Sequence, residues 1–420
     1  MKIIGRKPIR GKTAVPGDKS ISHRSVILGA IADGTTEVSG FLTGEDCLST
    51  IKCFRALGVD IEHSGTNLLI RGTGSFLPPV EVLDAGNSGT TIRLMAGMLA
   101  GQPFASSITG DESLQKRPMK RVVAPLSLMG ADIRGDYAPI NIKPAKLKGI
   151  RYTMPVASAQ VKSAILLASL YADGETVIEE PVRSRDHTEI MLNYFGADIQ
   201  KNSGTIISRG GKLIGKPVNV PGDISSAAFL MAAAVIADGS DIIIENVGVN
   251  PTRTGIISAL MRMGANISLR NIRSSCGEPV ADIEARCSPL KGTVIEGAEI
   301  PALIDEIPVI AAAALAAKGE TVIKDASELR VKEVDRIKAV ADEYNKFYPD
   351  EKPIIPTEDG MIIRGGLTPR AAEADSRGDH RMAMSLSVFA HAIEGESVIH
   401  NTECADISFP GFYDLLKNLS

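Results

Sequence analysis

The feature that most constrains this chain is a long internal repeat. Val15–Gly34 (VPGDKSISHRSVILGAIADG) aligns without a gap on Val220–Gly239 (VPGDISSAAFLMAAAVIADG), sharing Val-Pro-Gly-Asp at one end and Ile-Ala-Asp-Gly at the other. A match of that length makes the second half a diverged copy of the first and calls for two similar folded halves. A shorter period of roughly 70 residues runs inside each half: Leu57-Gly58-Val59-Asp60, Met129-Gly130-Ala131-Asp132, Phe195-Gly196-Ala197-Asp198 and Met263-Gly264-Ala265-Asn266. Each copy follows a segment with apolar residues at helical spacing, so its glycine fits the left-handed position that ends a helix.

Upstream of these segments lie helices rich in Ala, Leu and Ser: 23–31, 91–99, 159–171, 225–236, 304–317 and 381–393. All but the second run through Asp-Gly, Lys-Gly or Glu-Gly into β-branched strand residues; the second passes through Gly101-Gln102-Pro103. The count is six helix–turn–strand units, three before Pro221 and three after. Small side chains permit close helix packing, which predicts an α/β protein with inner helices and outer sheets. Pro16-Gly17 and Pro221-Gly222 are turn dipeptides. They form either a double hinge between two domains or two ordinary turns.

Composition narrows the function. With 46 Lys+Arg against 50 Asp+Glu the net charge is −4, the opposite of the basic excess of a general nucleic-acid binder. The longest apolar run, Ala227–Ala237, is shorter than a spanning helix, which needs about 18 residues or more. MKIIGRKPIR has no signal-peptide core, and the five cysteines form no CxxC pair. The expectation is a cytoplasmic protein with reduced, buried thiols and no membrane partner.

The repeat copies differ in their charges. Lys19-Ser20-Ile21-Ser22-His23-Arg24 faces Ile224-Ser225-Ser226-Ala227-Ala228-Phe229 in the second copy, so the fold itself does not require Lys19 or Arg24. Two cations near a helix start can share one anion with the backbone N–H groups there. Gly86-Asn87-Ser88-Gly89-Thr90-Thr91-Ile92-Arg93 is a small-residue loop entering a helix. Lys116-Arg117-Pro118-Met119-Lys120-Arg121 packs four cations into six residues, and Ser158-Ala159-Gln160 opens another helix. Asp305-Glu306 lie in an apolar stretch, Lys332 and Arg336 share a face at helical spacing, and Asp379-His380-Arg381 repeats the register of His23-Arg24. Singly, caps and solvated charges explain each of these. Together they put cationic or polar groups at nearly every unit's helix start, where the helix dipole adds positive charge. That pattern predicts a small, multiply anionic substrate.

Pro16-Gly17-Asp18-Lys19-Ser20-Ile21-Ser22-His23-Arg24, Gly86–Thr90, Arg117-Pro118, Gly222–Ala227 and Asp379–Ala383 together resemble the 5-enolpyruvylshikimate-3-phosphate synthase family. The resemblance spans nearly the whole chain. It implies two domains, each of three βαβαββ-type units, joined by a double hinge. Residues 1–17 with 222–420 would form one domain, 18–221 would be inserted in it, and the active site would lie in the cleft between them. It further implies transfer of the enolpyruvyl group of phosphoenolpyruvate to the 5-hydroxyl of shikimate 3-phosphate, through a tetrahedral ketal intermediate. No metal or other cofactor is implied, and a monomer is.

By the same resemblance Lys19, Ser20, Arg24, Ser158, Ala159, Gln160, Arg185, Asp305 and Lys332 hold shikimate 3-phosphate. Lys19, Gly89, Arg117, Arg336 and Arg381 surround phosphoenolpyruvate. Asp305 is the implied base, Glu333 the proton donor or shuttle, and His380 an aid in the acid–base steps. One departure stands out: many relatives carry Lys before a Ser/Thr-Phe-Pro segment, where this chain has Ile407-Ser408-Phe409-Pro410. The enolpyruvyl transferases that act on UDP-N-acetylglucosamine carry a reactive cysteine on a loop matching 101–121, and this chain has no cysteine between Cys53 and Cys276. A catalytically silent binding relative and an RNA-end-processing relative are the other readings. Retention of the charged set argues against the first, and the lack of a basic excess against the second.

Overall fold

The computed structural model describes residues 1–5 and 7–420. Its principal helices come in pairs, one pair per repeat. The first half holds α1 (Lys19–Ile31) and α2 (Glu45–Ala56), α3 (Gly89–Leu99) and α4 (Lys120–Leu128), and α5 (Ala159–Ser169) and α6 (His187–Phe195). The second holds α7 (Ile224–Ile236) and α8 (Gly255–Arg262), α9 (Ile307–Ala316) and α10 (Arg336–Tyr344), and α11 (His380–Ala392) and α12 (Phe412–Asn418). The first helix of each pair is the inner one. α7 is buried from Ile224 to Val235 and α9 from Ile307 to Leu315, as a helix apolar on all faces must be. The second helix of each pair keeps a polar side. The expected helix-ending glycines are left-handed, with φ of +85° at Gly58, +97° at Gly130, +109° at Gly196 and +97° at Gly264.

Each repeat wraps its helices with a small sheet. In the second repeat Leu83–Asp84 pairs parallel with Ser106–Thr109 across α3, and the hairpin of Asp132–Arg134 and Ile140–Lys143 follows α4. That is the βαβαββ order, in which an inner helix makes the crossover that parallel strands need. The third and fifth repeats have the same order. The first and fourth borrow their opening strand from far along the chain. Val218–Asn219 pairs parallel with Asp33–Ser39, and Arg10–Ala14 pairs parallel with Asp241–Gly248. The sixth is three-stranded, closed by Lys2–Ile4 antiparallel to Glu396–His400.

The chain divides into two compact units: Met1–Pro16 with Pro221–Arg273 and Pro279–Ser420, and Gly17–Val220 with Ser274–Glu278. Each has its own hydrophobic core. They are called the second-half and first-half units below. Two chain crossings fall at the Pro-Gly turns. The tip of the hairpin Asn266–Ser275 and Glu278–Arg286 also belongs to the first-half unit. The Asn219 amide donates to Cys276 Sγ at 3.3 Å, Gly277 packs on Ile190, and His187 Nδ1 meets Glu278 Oε1 at 2.7 Å with both side chains 3% exposed. Of the five free cysteines, Cys47 and Cys53 are buried while Cys276, Cys287 and Cys404 are only half-buried. Among the described residues no helix is long and apolar enough to cross a membrane.

Candidate active site

In the first-half unit many of the candidate side chains gather at the starts of α1, α3 and α5. Asp18, Ser88 and Ser158 cap these helices by accepting from the Ile21, Thr91 and Val161 amides. Capping consumes one backbone donor and leaves the rest of the first turn for a ligand. Gly89 is the first residue of α3, and a Cβ there would lie 2.7 Å from Arg93 Nη1 and 3.6 Å from Arg117 Nη1. Glycine is therefore what lets two guanidiniums converge on this helix start. Arg117 donates to Asn87 Oδ1 at 2.7 Å. Arg93 donates to Gln160 Oε1 at 2.8 Å, and Gln160 Nε2 donates to Thr90 at 3.1 Å. Burial, together with the charges of Arg117 and Arg121, lowers the Arg93 pKa to about 10. Three like charges crowded in this way are a receptor for an anion.

Lys19 and Arg24 have different partners within the protein. Lys19 pairs with Asp46 in the first turn of α2. Arg24 is 5% exposed and donates to Thr188 Oγ1 at 2.6 Å, Ser163 Oγ at 2.8 Å and the Ser20 carbonyl at 2.9 Å. Its pKa is lowered to about 10 by burial, which the charges of Glu189, Asp18 and Glu278 oppose and that of Arg185 reinforces. Behind it Lys162, wholly buried, sits 2.8 Å from both Glu180 and Glu189. Arg24 is thus a rigid, oriented cation with part of its fork already used inside the protein. His23 is fully buried with Nδ1 2.7 Å from Thr50 Oγ1, and burial drives its pKa down to about 3.

The second-half unit gathers its set at the starts of α9, α10 and α11. Asp305 closes a short 3₁₀ turn before α9 with Glu306. Its Oδ1 lies 3.3 Å from Lys332 Nζ and 3.5 Å from Arg336 Nη1, and its Oδ2 lies 3.8 Å from Arg381 Nη2. Arg336, 1% exposed in its side chain, bonds Asp379 at 2.8 Å and Glu333 at 2.7 Å. Asp379 also caps α11, so His380 and Arg381 are its first residues. Burial pushes the Glu333 carboxyl up, but Arg336 and His380 more than reverse it and hold its pKa at about 2. The same pairing raises Arg336 against the effect of burial. Asp305 therefore sits among three cations, and Glu333 is an ionised carboxylate.

One expectation is corrected here. Lys332 and Arg336 do not share a helical face: Asp335 caps α10, the helix begins at Arg336, and Lys332 lies outside it in extended conformation. Asp335 outcompetes helix continuation because its side chain accepts the Lys338 amide. Lys332 reaches Asp305 from the loop. Ile407 ends a 3₁₀ turn ahead of α12 and is 39% exposed. Sequence reasoning gave Arg93 and Arg121 no role: Arg121 was visible only within the charge run 116–121, and Arg93 only on the first turn of the helix that the Gly86–Thr91 loop enters. Ser163 and Thr188, which orient Arg24, carried no signal at all. Among the described residues no cluster of His, Cys, Asp or Glu is arranged to hold a metal ion.

Repeated βαβαββ units that present cations and carboxylates at their inner helix starts define an α/β enzyme built for small, multiply charged anions. The sequence matches the family described as EPSP synthase (3-phosphoshikimate 1-carboxyvinyltransferase) over residues 3–416. A curated 3-phosphoshikimate 1-carboxyvinyltransferase of Brevibacillus brevis is 52% identical over 427 residues, covering 100% of both chains. The solved EPSP synthase of Acinetobacter baumannii superposes with a TM-score of 0.91 at 47% identity, covering 100% of this chain and 98% of that one. The enolpyruvyl transferase NikO of Streptomyces tendae shares the fold with a TM-score of 0.77 at 16% identity, covering 100% of this chain and 96% of that one. The chain belongs to the EPSP synthase family. It is a transferase of aromatic amino-acid biosynthesis whose chemistry is enolpyruvyl transfer.

Proposed function

We propose that both residue sets act on a single substrate pair, shikimate 3-phosphate and phosphoenolpyruvate. The observation that carries this is the grouping of Asp305 with Lys332, Arg336 and Arg381, matched by the Arg93–Arg117–Gly89 cluster of the first-half unit. Lys19, Ser20, Arg24, Ser158, Ala159, Gln160, Arg185 and Lys332 bind shikimate 3-phosphate. Lys19, Gly89, Arg117, Arg336 and Arg381 take the phosphate and carboxylate of phosphoenolpyruvate, with Arg93 added to them from its position beside Gly89.

Asp305 takes the proton of the 5-hydroxyl, whose oxygen attacks C2 of phosphoenolpyruvate while a proton reaches C3 to form a methyl group. Glu333 and His380 serve that proton transfer. Loss of phosphate from C2 and of a methyl proton then restores the C2–C3 double bond and gives the enol ether. Fixed cations aimed at the developing charge supply the electrostatic stabilisation. Glu333 is ionised beside Arg336, so it gains its proton only after a bound anion engages Arg336 and weakens their pairing. The protein works as a cytoplasmic monomer on small molecules, without nucleic acid, and needs neither metal nor other cofactor.

Phosphate release by the purified protein, with each substrate omitted in turn, tests the reading. Release that requires both substrates is expected. Release from phosphoenolpyruvate alone, or neither release nor binding of shikimate 3-phosphate, overturns it. Retained binding of shikimate 3-phosphate without turnover would direct attention to Ile407.

A further inference from the structure

Glu306 lies next to Asp305, yet the reaction as written gives it nothing to do. Its side chain is 1% exposed. Oε1 accepts from Ser225 Oγ at 2.5 Å and lies 3.4 Å from Arg381 Nη1, while Oε2 is buried and has no hydrogen-bond partner among the described residues. A buried carboxylate with an orphaned oxygen serves stability poorly, because its desolvation is only partly returned. A neutral side chain would fit such a place better.

The surrounding contacts show what the charge holds. Ser225, on the first turn of α7, also accepts from Arg253 Nη2 at 2.8 Å. The same Nη2 bonds Asp223 at 2.9 Å, and Asp223 caps α7. Glu306 is therefore anchored from one side by a rigid helix start. On the other side it meets Arg381, whose Nη1 also donates to the Asp305 carbonyl at 3.1 Å. Among the described residues both hydrogen bonds of this guanidinium run through Nη1, while Nη2 lies 3.8 Å from Asp305 Oδ2, beyond hydrogen-bond distance. The opposite edge, Nε with Nη2, is the one with the geometry to take a carboxylate in a paired fashion.

We infer that Glu306 is a positioning residue for phosphoenolpyruvate. It pins Nη1 of Arg381 so that the Nε–Nη2 edge is presented to the ligand carboxylate. The inference rests on the reading of Arg381 as a phosphoenolpyruvate ligand. Glu306→Gln keeps an oxygen for Ser225 and removes the charge that holds Arg381.

Steady-state kinetics on the full chain provide the test. Misplacing a binding group by about an ångström costs up to about a hundred-fold, and Glu306→Gln is expected to raise KM for phosphoenolpyruvate about ten-fold. KM for shikimate 3-phosphate and kcat should stay within about two-fold, and the melting temperature should hold or rise. A purely structural Glu306 would instead lower the melting temperature and move both KM values together, overturning the inference. Arg381→Lys separates the two levels. If it leaves KM for phosphoenolpyruvate unchanged, the assignment of Arg381 falls and takes this inference with it. If it raises that KM while Glu306→Gln does not, the inference alone is overturned. Should Glu306→Gln fail to fold, Ser225→Ala removes the anchor and is expected to raise the same KM selectively; an unchanged value overturns the inference.

Discussion

Glu333 and His23 show how one fold lowers two pKa values by opposite means, holding one group charged and the other neutral. Glu333 is held at about 2 by Arg336 and His380 despite the opposing effect of burial. Its pairing therefore contributes stability above the ordinary carboxylate range, and that contribution fades as pH falls towards 2. As a proton carrier it is worth about a hundred-fold or more, so Glu333→Gln should lower kcat by that factor in a phosphate-release assay; near-wild-type turnover would remove it from the mechanism. His23 is wholly buried and stays neutral down to about pH 3, against an ordinary value of 6.5. The unfolded chain binds a proton there below 6.5 that the folded chain refuses, so stability is complete above that pH and declines beneath it. Between pH 7 and 5 the loss is about 2 kcal/mol. Urea unfolding at the two pH values should show it, and His23→Asn should remove that share of the difference; an unaltered slope in the variant would refute the assignment.

Among the elements, α5 and α6 are joined by a buried trio that apolar periodicity did not announce. Lys162 on α5 lies 2.8 Å from Glu189 on α6 and from Glu180, all buried. The next residues along, Ser163 and Thr188, hold Arg24. Lys162→Met leaves two carboxylates without their cation and should cost about 3–5 kcal/mol in chemical denaturation, the range for breaking a buried pair. It should also raise KM for shikimate 3-phosphate by loosening Arg24. A loss under 1 kcal/mol, on the scale of an exposed pair, would mean that water reaches the trio. The helices themselves were legible because Ala-rich inner segments and left-handed glycines are local signals. The 3₁₀ turn at Asp305–Glu306 and the loop position of Lys332 were not, because a side-chain cap at Asp335 decides where α10 begins. The same limit hid Ser163 and Thr188, whose partner lies more than a hundred residues away.

For the whole molecule, the repeat announced two halves, but it did not say which strands open the first and fourth sheets. Val218–Asn219 completes the first repeat and Arg10–Ala14 the fourth, pairings between segments about two hundred residues apart that no local pattern encodes. The hairpin tip Ser274–Glu278 goes further. It is second-half sequence that belongs to the first-half unit, where Glu278 meets His187 and Gly277 packs on Ile190. His187 is the first residue of α6, the helix that carries Thr188 and Glu189 and so supports Arg24. A defect at the tip should therefore be felt at α6. Replacing residues 274–278 with a tight Asn-Gly turn shortens the hairpin and removes the buried contact of Glu278 with His187. Hydrogen exchange is expected to speed up at the amides of 187–195. The amides of α9 and α11, which belong to the other unit, should keep their protection. Uniform loss across both units would mean that the tip supports global folding, and no change at α6 would mean that Glu278 is not part of what holds that helix.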